Sequence, residues 1–271
     1  MYQFEYHKPK DLVEALGLLA QDSDAKLLAG GQTLLPTLRQ RLAAPSALID
    51  LAGVSELTGI GMKGELLRIG AMTCYVEIIE SPLVRAKLPS LSRAVAMVGD
   101  PLVRNRGTIG GSLANNDPTA DLTAAILAMN ATLVTDRRSI LADEFFVDLF
   151  ETALEQGEIL VRIDFPLPSR AAYIKFRNPA SRYALVGVFV AEVHGDVRLA
   201  ITGASAKVFR EHSFEVALKA EFSPEAVKGL VVETTGLIDD LHASAEYRAN
   251  LISVLAGRAV SAALIDPNHG L

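Results

Sequence analysis

Apolar positions in the first part of the chain alternate between helical spacing and short continuous runs. Leu12, Leu16 and Leu19 recur at three- and four-residue intervals after Asp11, which predicts a capped helix of about ten residues. Short apolar runs bounded by glycine, proline or charged residues are typical of strands. They predict strands at residues 26–29, 47–50, 66–70, 131–135 and 158–163, and the remaining helical spacings predict helices at 36–42, from about 74, at 88–98 and at 122–129.

The pattern changes near residue 170. Apolar runs at 173–176, 183–193 and 197–202 predict three strands, with a hairpin turn between the last two. Helical spacing then returns at 213–220, 223–232 and 243–263. We therefore expect an α+β protein with one domain at residues 1–170 and a second at residues 171–271, the second built on a three-stranded antiparallel sheet with packed helices.

Small and polar residues are concentrated in one stretch, residues 104–121. Three glycines within five residues allow the backbone to approach a ligand closely and to take positive φ angles. Thr108 and Ser112 add hydroxyl groups, and consecutive amides in such a loop can hold an anion. The pattern predicts a loop that binds a phosphate-bearing cofactor, followed by a helix that opens at Asp121.

A second glycine turn lies at residues 29–36. It joins a predicted strand to a predicted helix with Pro36 in its first turn, and amides at such a junction can face an anion. Taken alone, it is better explained as a tight turn than as a ligand site. Taken with residues 104–121, it indicates one ligand with two phosphates held from two sides. Neither turn matches the GxGxxG or P-loop motif, so a conventional nicotinamide or nucleoside-triphosphate site is not supported.

Composition and charge limit the classes of function that the chain can have. The 271 residues carry a formal net charge of −6, which gives no electrostatic case for binding nucleic acid or an anionic membrane. The longest apolar run is too short to span a bilayer and the N-terminus has no signal-like core, so we expect a cytoplasmic protein, with membrane association through a complex left open. Cys74 is the only cysteine, which excludes an iron–sulfur cluster built from this chain's own thiolates. The five histidines are scattered and predict no metal site.

Several segments together resemble one protein family. The two turns, AGGQTLLP at 29–36 and VRNRGTIGG at 103–111, match in order and spacing the FAD pyrophosphate loops of the FAD-binding medium subunits of molybdenum hydroxylases. That group includes aerobic carbon monoxide dehydrogenase and the flavin domain of xanthine dehydrogenase. The likeness continues at 116–122, 143–146, 158–160, 173–176 and 244–248, and so covers almost the whole chain.

The resemblance implies a PCMH-like FAD-binding domain of two small α/β subdomains with the cofactor between them. It implies that backbone amides of the first turn hold the FAD phosphates on one side, and that those of the second turn hold them on the other. Gln32 offers no nucleophile of the kind to which some flavoproteins attach FAD, so we expect non-covalent binding. The matching positions of the two turns are Ala29, Gly30, Gly31, Gln32, Thr33, Leu34, Thr108, Gly110, Gly111, Ser112 and Asn115.

Other matched residues are expected near the flavin ring. Asp121 matches a family carboxylate that contacts the cofactor, although a helix cap explains it equally well from sequence alone. Lys175 matches a family lysine near the ring, where a cation favours negative charge on the reduced flavin. Val98 and Leu160 match apolar contacts and Tyr183 an aromatic contact, and ordinary packing is the alternative for all three.

The resemblance implies an electron-carrying subunit. In that picture a large molybdopterin subunit oxidises the substrate, and a small subunit with two [2Fe–2S] clusters passes the electrons on. The FAD of this chain then delivers them to an external acceptor, within a dimer of heterotrimers. The resemblance does not specify the substrate, which is CO, an aldehyde, a purine or another N-heterocycle. It does not specify the acceptor either, which is NAD, a quinone or oxygen.

Two other functions are compatible with the sequence. The first is a self-contained flavin oxidase or reductase. Such an enzyme would need a general acid or base beside the flavin ring, and the sequence points to no particular residue for that role. The second is an assembly subunit whose glycine loops are only turns.

Overall fold

The structure, a computed structural model, describes residues 1–265. Its strands, in chain order, are β1 (Glu5–His7), β2 (Lys26–Leu28), β3 (Ala47–Asp50), β4 (Ile60–Lys63), β5 (Leu66–Gly70), β6 (Thr132–Thr135), β7 (Ser139–Leu141), β8 (Phe146–Asp148), β9 (Glu151–Thr152), β10 (Leu160–Phe165), β11 (Arg170–Arg177), β12 (Ala184–Val193), β13 (Asp196–Thr202) and β14 (Phe209–Arg210). Its α-helices are α1 (Leu12–Gln21), α2 (Leu34–Arg39), α3 (Tyr75–Glu80), α4 (Pro82–Lys87), α5 (Pro89–Ala96), α6 (Pro101–Arg104), α7 (Ile109–Asn115), α8 (Asp121–Ala128), α9 (Ala142–Phe145), α10 (His212–Ala220), α11 (Pro224–Val227) and α12 (Ala245–Leu264).

The strands are arranged in separate sheets. β1, β3 and β2 pair in that order as a parallel sheet. β4, β5, β10, β6 and β7 form an antiparallel sheet in that order. β11 to β14 form a second antiparallel sheet, and β8 and β9 form a hairpin. Because the helices pack around these sheets rather than alternating through one of them, the fold is of the predicted α+β class.

Helix α8 is the element that positions the candidate site. All eight of its residues are buried, as expected for a helix that is almost entirely apolar. It contacts β12 and β13 of one sheet and also α5 and α7. Asp121, its first residue, is therefore held inside the protein, where it meets side chains of β11.

The apolar core crosses the expected domain boundary near residue 170. Tyr173, Phe189 and Ala200 lie in the same buried cluster as Ile69 and Leu122. A second cluster joins β12 and β13 to α12, and a third lies under the parallel sheet. The division into 1–170 and 171–271 stays a prediction.

Most predicted elements are present, with ends shifted by a few residues. The predicted cap of α1 is confirmed, because the Asp11 carboxylate accepts from the Glu14 amide at 2.8 Å. Helix α2 begins at Leu34, two residues before the predicted start, so that Pro36 lies within its first turn. Strand β10 begins at Leu160 rather than at residue 158.

The prediction of a continuous loop across residues 104–121 is wrong. Helix α7 occupies the middle of this stretch. The Thr108 hydroxyl accepts from the Gly111 amide at 3.2 Å and caps that helix, so a residue that looked like a ligand contact is also a helix cap. Asn116 ends α7 with φ +45°, a left-handed conformation that asparagine tolerates.

Two predictions in the C-terminal part are also corrected. The sheet has four strands rather than three, because β14 pairs with β13 at one edge. The helix predicted at 223–232 ends at Val227, and Gly229 follows with φ +82°, which is incompatible with continuing the helix.

Helix α12, with 20 residues, is the longest helix of residues 1–265. One side packs on β11 and β12, and Arg258 lies exposed on the other. Neither α12 nor any other helix in these residues has the length and apolar composition that a bilayer-spanning segment requires.

Candidate cofactor-binding site

The two glycine turns lie against each other. A Cβ atom added at Gly30 would overlap the backbone carbonyl of Arg106, and a Cβ at Gly111 would lie 3.1 Å from the Cβ of Ala29. The close approach of the second turn therefore requires glycine at position 30. The structure thus brings together the two segments that the sequence predicted as a pair.

The first turn presents unpaired donors. Gly31 takes φ +72°, a left-handed conformation that favours glycine, and the chain turns there from β2 into α2. Within residues 1–265, the amides of Gly30, Gly31, Gln32, Thr33 and Leu34 have no hydrogen-bond acceptor. A run of unpaired amides is suited to an anion, and it fits the FAD phosphates that the resemblance implies.

The second turn contributes differently from what the sequence predicted. The amides of Gly110 and Gly111 already have acceptors within the protein. Gly110 donates to the Ala71 carbonyl at 2.8 Å, and Gly111 donates to the Thr108 hydroxyl at 3.2 Å. In the described part of the chain, Thr108 keeps an unpaired amide. The second turn therefore offers hydroxyl groups and a close backbone approach rather than a row of amides.

A buried ion pair joins α8 to β11. The Lys175 ammonium donates to the Asp121 carboxylate at 2.8 Å and to the Met97 carbonyl at 3.3 Å, and the Lys175 and Asp121 side chains are 2 % and 5 % exposed. The Tyr173 hydroxyl donates to the other carboxylate oxygen at 2.6 Å. Burial raises the pKa of Asp121, while Lys175 and Tyr173 act in the opposite direction. Asp121 is not the cap of α8, since that position belongs to Ala120.

Tyr75 is a residue of this region that sequence reasoning missed. It is the first residue of α3 and is buried. Its ring lies against the second turn, where a Cβ at Gly107 would come within 2.7 Å of it. Burial raises the pKa of the Tyr75 phenol to about 12, the Ser112 hydroxyl acts against this, and the Asp121 charge adds to it. Nothing in its spacing distinguishes it from an ordinary core aromatic, so the sequence carries no signal for it.

Tyr183 lies at the exposed side of the same region. It is 54 % exposed, and its partial burial raises the pKa of its phenol, with smaller contributions from the Asp117 and Asp121 carboxylates. It is therefore within electrostatic range of the start of α8. Arg182, just before it, takes φ +64°, so a left-handed turn presents Tyr183 to solvent.

The remaining predicted residues lie around these groups. Val98 directly follows Met97, and its carbonyl accepts from the Arg104 guanidinium at 2.9 Å. Leu160 is buried in the large apolar cluster, and Asn115 is the last residue of α7, directly before Asn116. No hydrogen bond of the described structure ties the Asn115 side chain to either turn, and Leu160 packs as a core residue. Their part in a cofactor site stays a prediction.

The arrangement suits a ligand with an anionic end and a redox-active ring. Unpaired amides and hydroxyls converge where the two turns meet, and a buried cation lies at the junction of α8 and β11. Among residues 1–265, no group of three or more His, Cys, Asp and Glu side chains is placed to hold a metal ion.

Known proteins are similar to this chain in sequence. The family model described as the FAD binding domain in molybdopterin dehydrogenase matches residues 2–168. The carbon monoxide dehydrogenase medium chain of Hydrogenophaga pseudoflava is 37% identical over 278 residues, which cover 96% of this chain and 97% of that protein. The nicotine 6-hydroxylase medium subunit of Paenarthrobacter nicotinovorans is 36% identical over 269 residues, covering 94% of this chain and 95% of that subunit.

The fold is similar to that of solved structures. The reconstituted CO dehydrogenase from Oligotropha carboxidovorans contains a chain that superimposes with a TM-score of 0.89 at 30% sequence identity. The match covers 96% of this chain and 97% of that one. The similarity to these proteins, in sequence and in fold, therefore extends over nearly the full length of the chain.

Proposed function

This chain belongs to the family of FAD-binding medium subunits of molybdenum hydroxylases, and from that premise we propose that its FAD relays electrons from iron–sulfur clusters of a partner subunit to an external acceptor. The chain is an oxidoreductase flavoprotein subunit. The observation that carries the proposal is the run of unpaired amides at the first turn, which lies directly against the second turn.

In this proposal the two turns hold the FAD diphosphate from different directions. The amides of Gly30 to Leu34 donate to phosphate oxygens on one side. Thr108 and Ser112 offer hydroxyl groups on the other side, and the missing side chains of Gly110 and Gly111 leave room for Ala71 and Ala29, so that the second turn packs closely against its neighbours. No covalent bond to the protein is needed.

The flavin ring is proposed to lie beside the buried ion pair. When bound, FAD supplies reversible one- and two-electron chemistry. The Lys175 ammonium stabilises negative charge on the reduced ring, because a cation in a buried site acts with little screening by water. Val98, Leu160 and Tyr183 would give the ring apolar and aromatic contacts.

The electrons are proposed to enter and leave through other molecules. Relatives bear the names of medium chains and medium subunits, which supports assembly with a large molybdopterin subunit and a small [2Fe–2S] subunit. In such a complex, the FAD held by this chain would take up the two electrons that substrate oxidation in the large subunit supplies through the clusters, and would pass them to the acceptor. A dimer of heterotrimers and a cytoplasmic location are part of the same proposal.

The Gly30→Ala variant tests the cofactor clamp. The added methyl group would meet the Arg106 carbonyl and force the turns apart, at a cost of about 1–3 kcal/mol. We expect FAD binding by the full chain to weaken roughly tenfold or more, measured by fluorescence titration.

Gly17→Ala is the matched control for that variant. Gly17 lies in α1, and a Cβ there would meet nothing within 4 Å. It should bind FAD as the wild type does. Equal FAD affinity in Gly30→Ala and Gly17→Ala would contradict the clamp.

A further inference from the structure

A buried phenol supports the ion pair between α8 and β11. Tyr173 precedes Lys175 by two residues on β11 and is buried. Its hydroxyl donates to one oxygen of Asp121 at 2.6 Å, while the Lys175 ammonium donates to the other at 2.8 Å. Within residues 1–265, the carboxylate accepts no other hydrogen bond. Loss of the phenol hydroxyl would therefore leave one buried carboxylate oxygen without a donor.

The surroundings of Tyr173 keep its hydroxyl in place. Its ring stacks on Phe189, the residue paired with it across β12, at 6.0 Å between centroids and 27° between planes. A Cβ at Gly187 would overlap the hydroxyl, so glycine there leaves the space that the hydroxyl occupies. Burial raises the pKa of Tyr173 well above its ordinary value, with Asp121 adding to the effect. The phenol is therefore a permanent donor.

The orientation of the Lys175 ammonium depends on which groups donate hydrogen bonds to the Asp121 carboxylate. The ammonium has three N–H groups, of which one meets Asp121 and another the Met97 carbonyl. If Tyr173 made no hydrogen bond, both carboxylate oxygens would depend on Lys175 alone. The ammonium would then be drawn towards Asp121, and its third N–H, which has no acceptor within residues 1–265, would turn with it.

We propose that Tyr173 is a positioning residue for the flavin, because by donating to one oxygen of Asp121 it leaves the third N–H of the Lys175 ammonium available to the cofactor. This inference rests on the proposed function, in which Lys175 lies near the flavin ring. Tyr173 acts through Asp121 and Lys175. Since the cation favours the reduced flavin, Tyr173 raises the midpoint potential of the bound cofactor.

The first test compares Tyr173→Phe with Tyr6→Phe in the full chain loaded with FAD. Each variant removes one tyrosine hydroxyl that donates to an aspartate, and the bond from Tyr6 to Asp50 is exposed, at 2.5 Å. In Tyr173→Phe we expect reduced FAD to lose about tenfold more affinity than oxidised FAD. This ratio corresponds to a fall of about 30 mV in the two-electron midpoint potential. Tyr6→Phe should keep the wild-type potential in spectroelectrochemical titration.

A second variant moves the phenol without removing its hydroxyl. Gly187→Ala places a methyl group where the Tyr173 hydroxyl lies, so we expect the midpoint potential to fall here too. Gly17→Ala, again the matched control, should leave it unchanged. The comparison of Gly187→Ala with Gly17→Ala also tests the proposal if Tyr173→Phe does not fold.

The outcomes separate this inference from the function on which it rests. Wild-type potentials in flavin-loaded Tyr173→Phe or Gly187→Ala would overturn the positioning role and leave the proposed function standing. Equal weakening of oxidised and reduced FAD would also overturn it, because a purely structural role predicts that result. A wild-type chain that binds no FAD would overturn both.

Discussion

Two buried carboxylates of the chain are each paired with a cation. Asp121 and Lys175 form one such pair, and Glu158 forms another with Arg138, at 2.9 Å. Glu158 also accepts from the Thr135 hydroxyl at 2.7 Å, and its side chain is fully buried. Hydrogen bonding to Arg138 is the main reason why the pKa of Glu158 falls to about 2, despite the opposing effect of burial.

Glu158→Gln tests this pairing through pH. Because the folded pKa lies below the ordinary value of 4.5, the charged carboxylate stabilises the fold above pH 4.5, and this stabilisation is lost as the pH falls towards about 2. We expect the variant to lose about 2 kcal/mol of unfolding free energy at neutral pH, since the partner Arg138 is partly exposed and screened. The two proteins should become equally stable as the pH approaches 2, measured by urea denaturation at each pH.

The exposed Glu233 provides the control for that experiment. Glu233→Gln should follow the wild-type pH profile throughout. A Glu158→Gln profile parallel to the wild type from neutral pH down to pH 2 would contradict the role given to the charge.

Individual site residues could be predicted from the sequence, but their partners could not. Asp121 and Lys175 are each identified by a matched motif, yet they lie 54 positions apart, and nothing local shows that they pair. Tyr173 was part of a matched strand, and its use as a donor depends on space left at Gly187 on another strand. The sequence does not show that the Gly110 amide is paired, because its acceptor, the Ala71 carbonyl, lies on a distant part of the chain.

Among the elements, helix α7 links the second turn to the β8–β9 hairpin. Asn116, at the end of the helix, donates through its side-chain amide to the carbonyls of Asp148 at 2.8 Å and Glu151 at 2.7 Å. It is fully buried, and its left-handed backbone (φ +45°) ends the helix. One residue therefore ends the helix and anchors the hairpin.

Asn116→Gly separates these two tasks. Glycine keeps the left-handed backbone but removes both donors, so we expect the free energy of unfolding to fall by about 1–3 kcal/mol in chemical denaturation. Asn130→Gly is the control, because Asn130 also has a left-handed backbone, with φ +52°. It should leave stability nearly unchanged. Equal stability of the two variants would show that the hairpin anchor contributes little.

Helices and strands with regular apolar spacing could be predicted from the sequence. Elements that depend on an unusual backbone conformation, or on pairing at the edge of a sheet, could not. The pattern after Asp11 was enough to place α1. Helix α7 was missed because its glycines and polar residues lower helix propensity, and its cap at Thr108 looked like a ligand contact. Strand β14 was missed because two residues at a sheet edge carry no periodic signal.

In the whole molecule, both ends of α8 are tied to the C-terminal sheet. The Thr202 hydroxyl donates to the Pro118 carbonyl at 2.8 Å, just before the helix. The Arg198 guanidinium donates to the Leu127 carbonyl at 3.0 Å near its end and pairs with Asp143 at 2.6 Å. Because both side chains come from β13, the environment of Asp121 depends on the C-terminal part as well as on the matched FAD-binding region.

In the proposed function, the flavin of this chain receives electrons through partner subunits. The chain is tagged in its native source, and the proteins purified with it are identified and assayed for FAD, molybdenum and iron. The purified complex and the isolated full chain loaded with FAD are then mixed with the same candidate substrates, namely CO, aldehydes, purines and other N-heterocycles.

The deciding measurement is the absorbance of oxidised flavin in these two samples. We predict that a substrate bleaches it in the complex, whose partner chains hold the molybdenum and iron, and that the same substrate leaves the isolated chain oxidised. Bleaching of the isolated, metal-free chain by a substrate would contradict the account and favour a self-contained flavin enzyme.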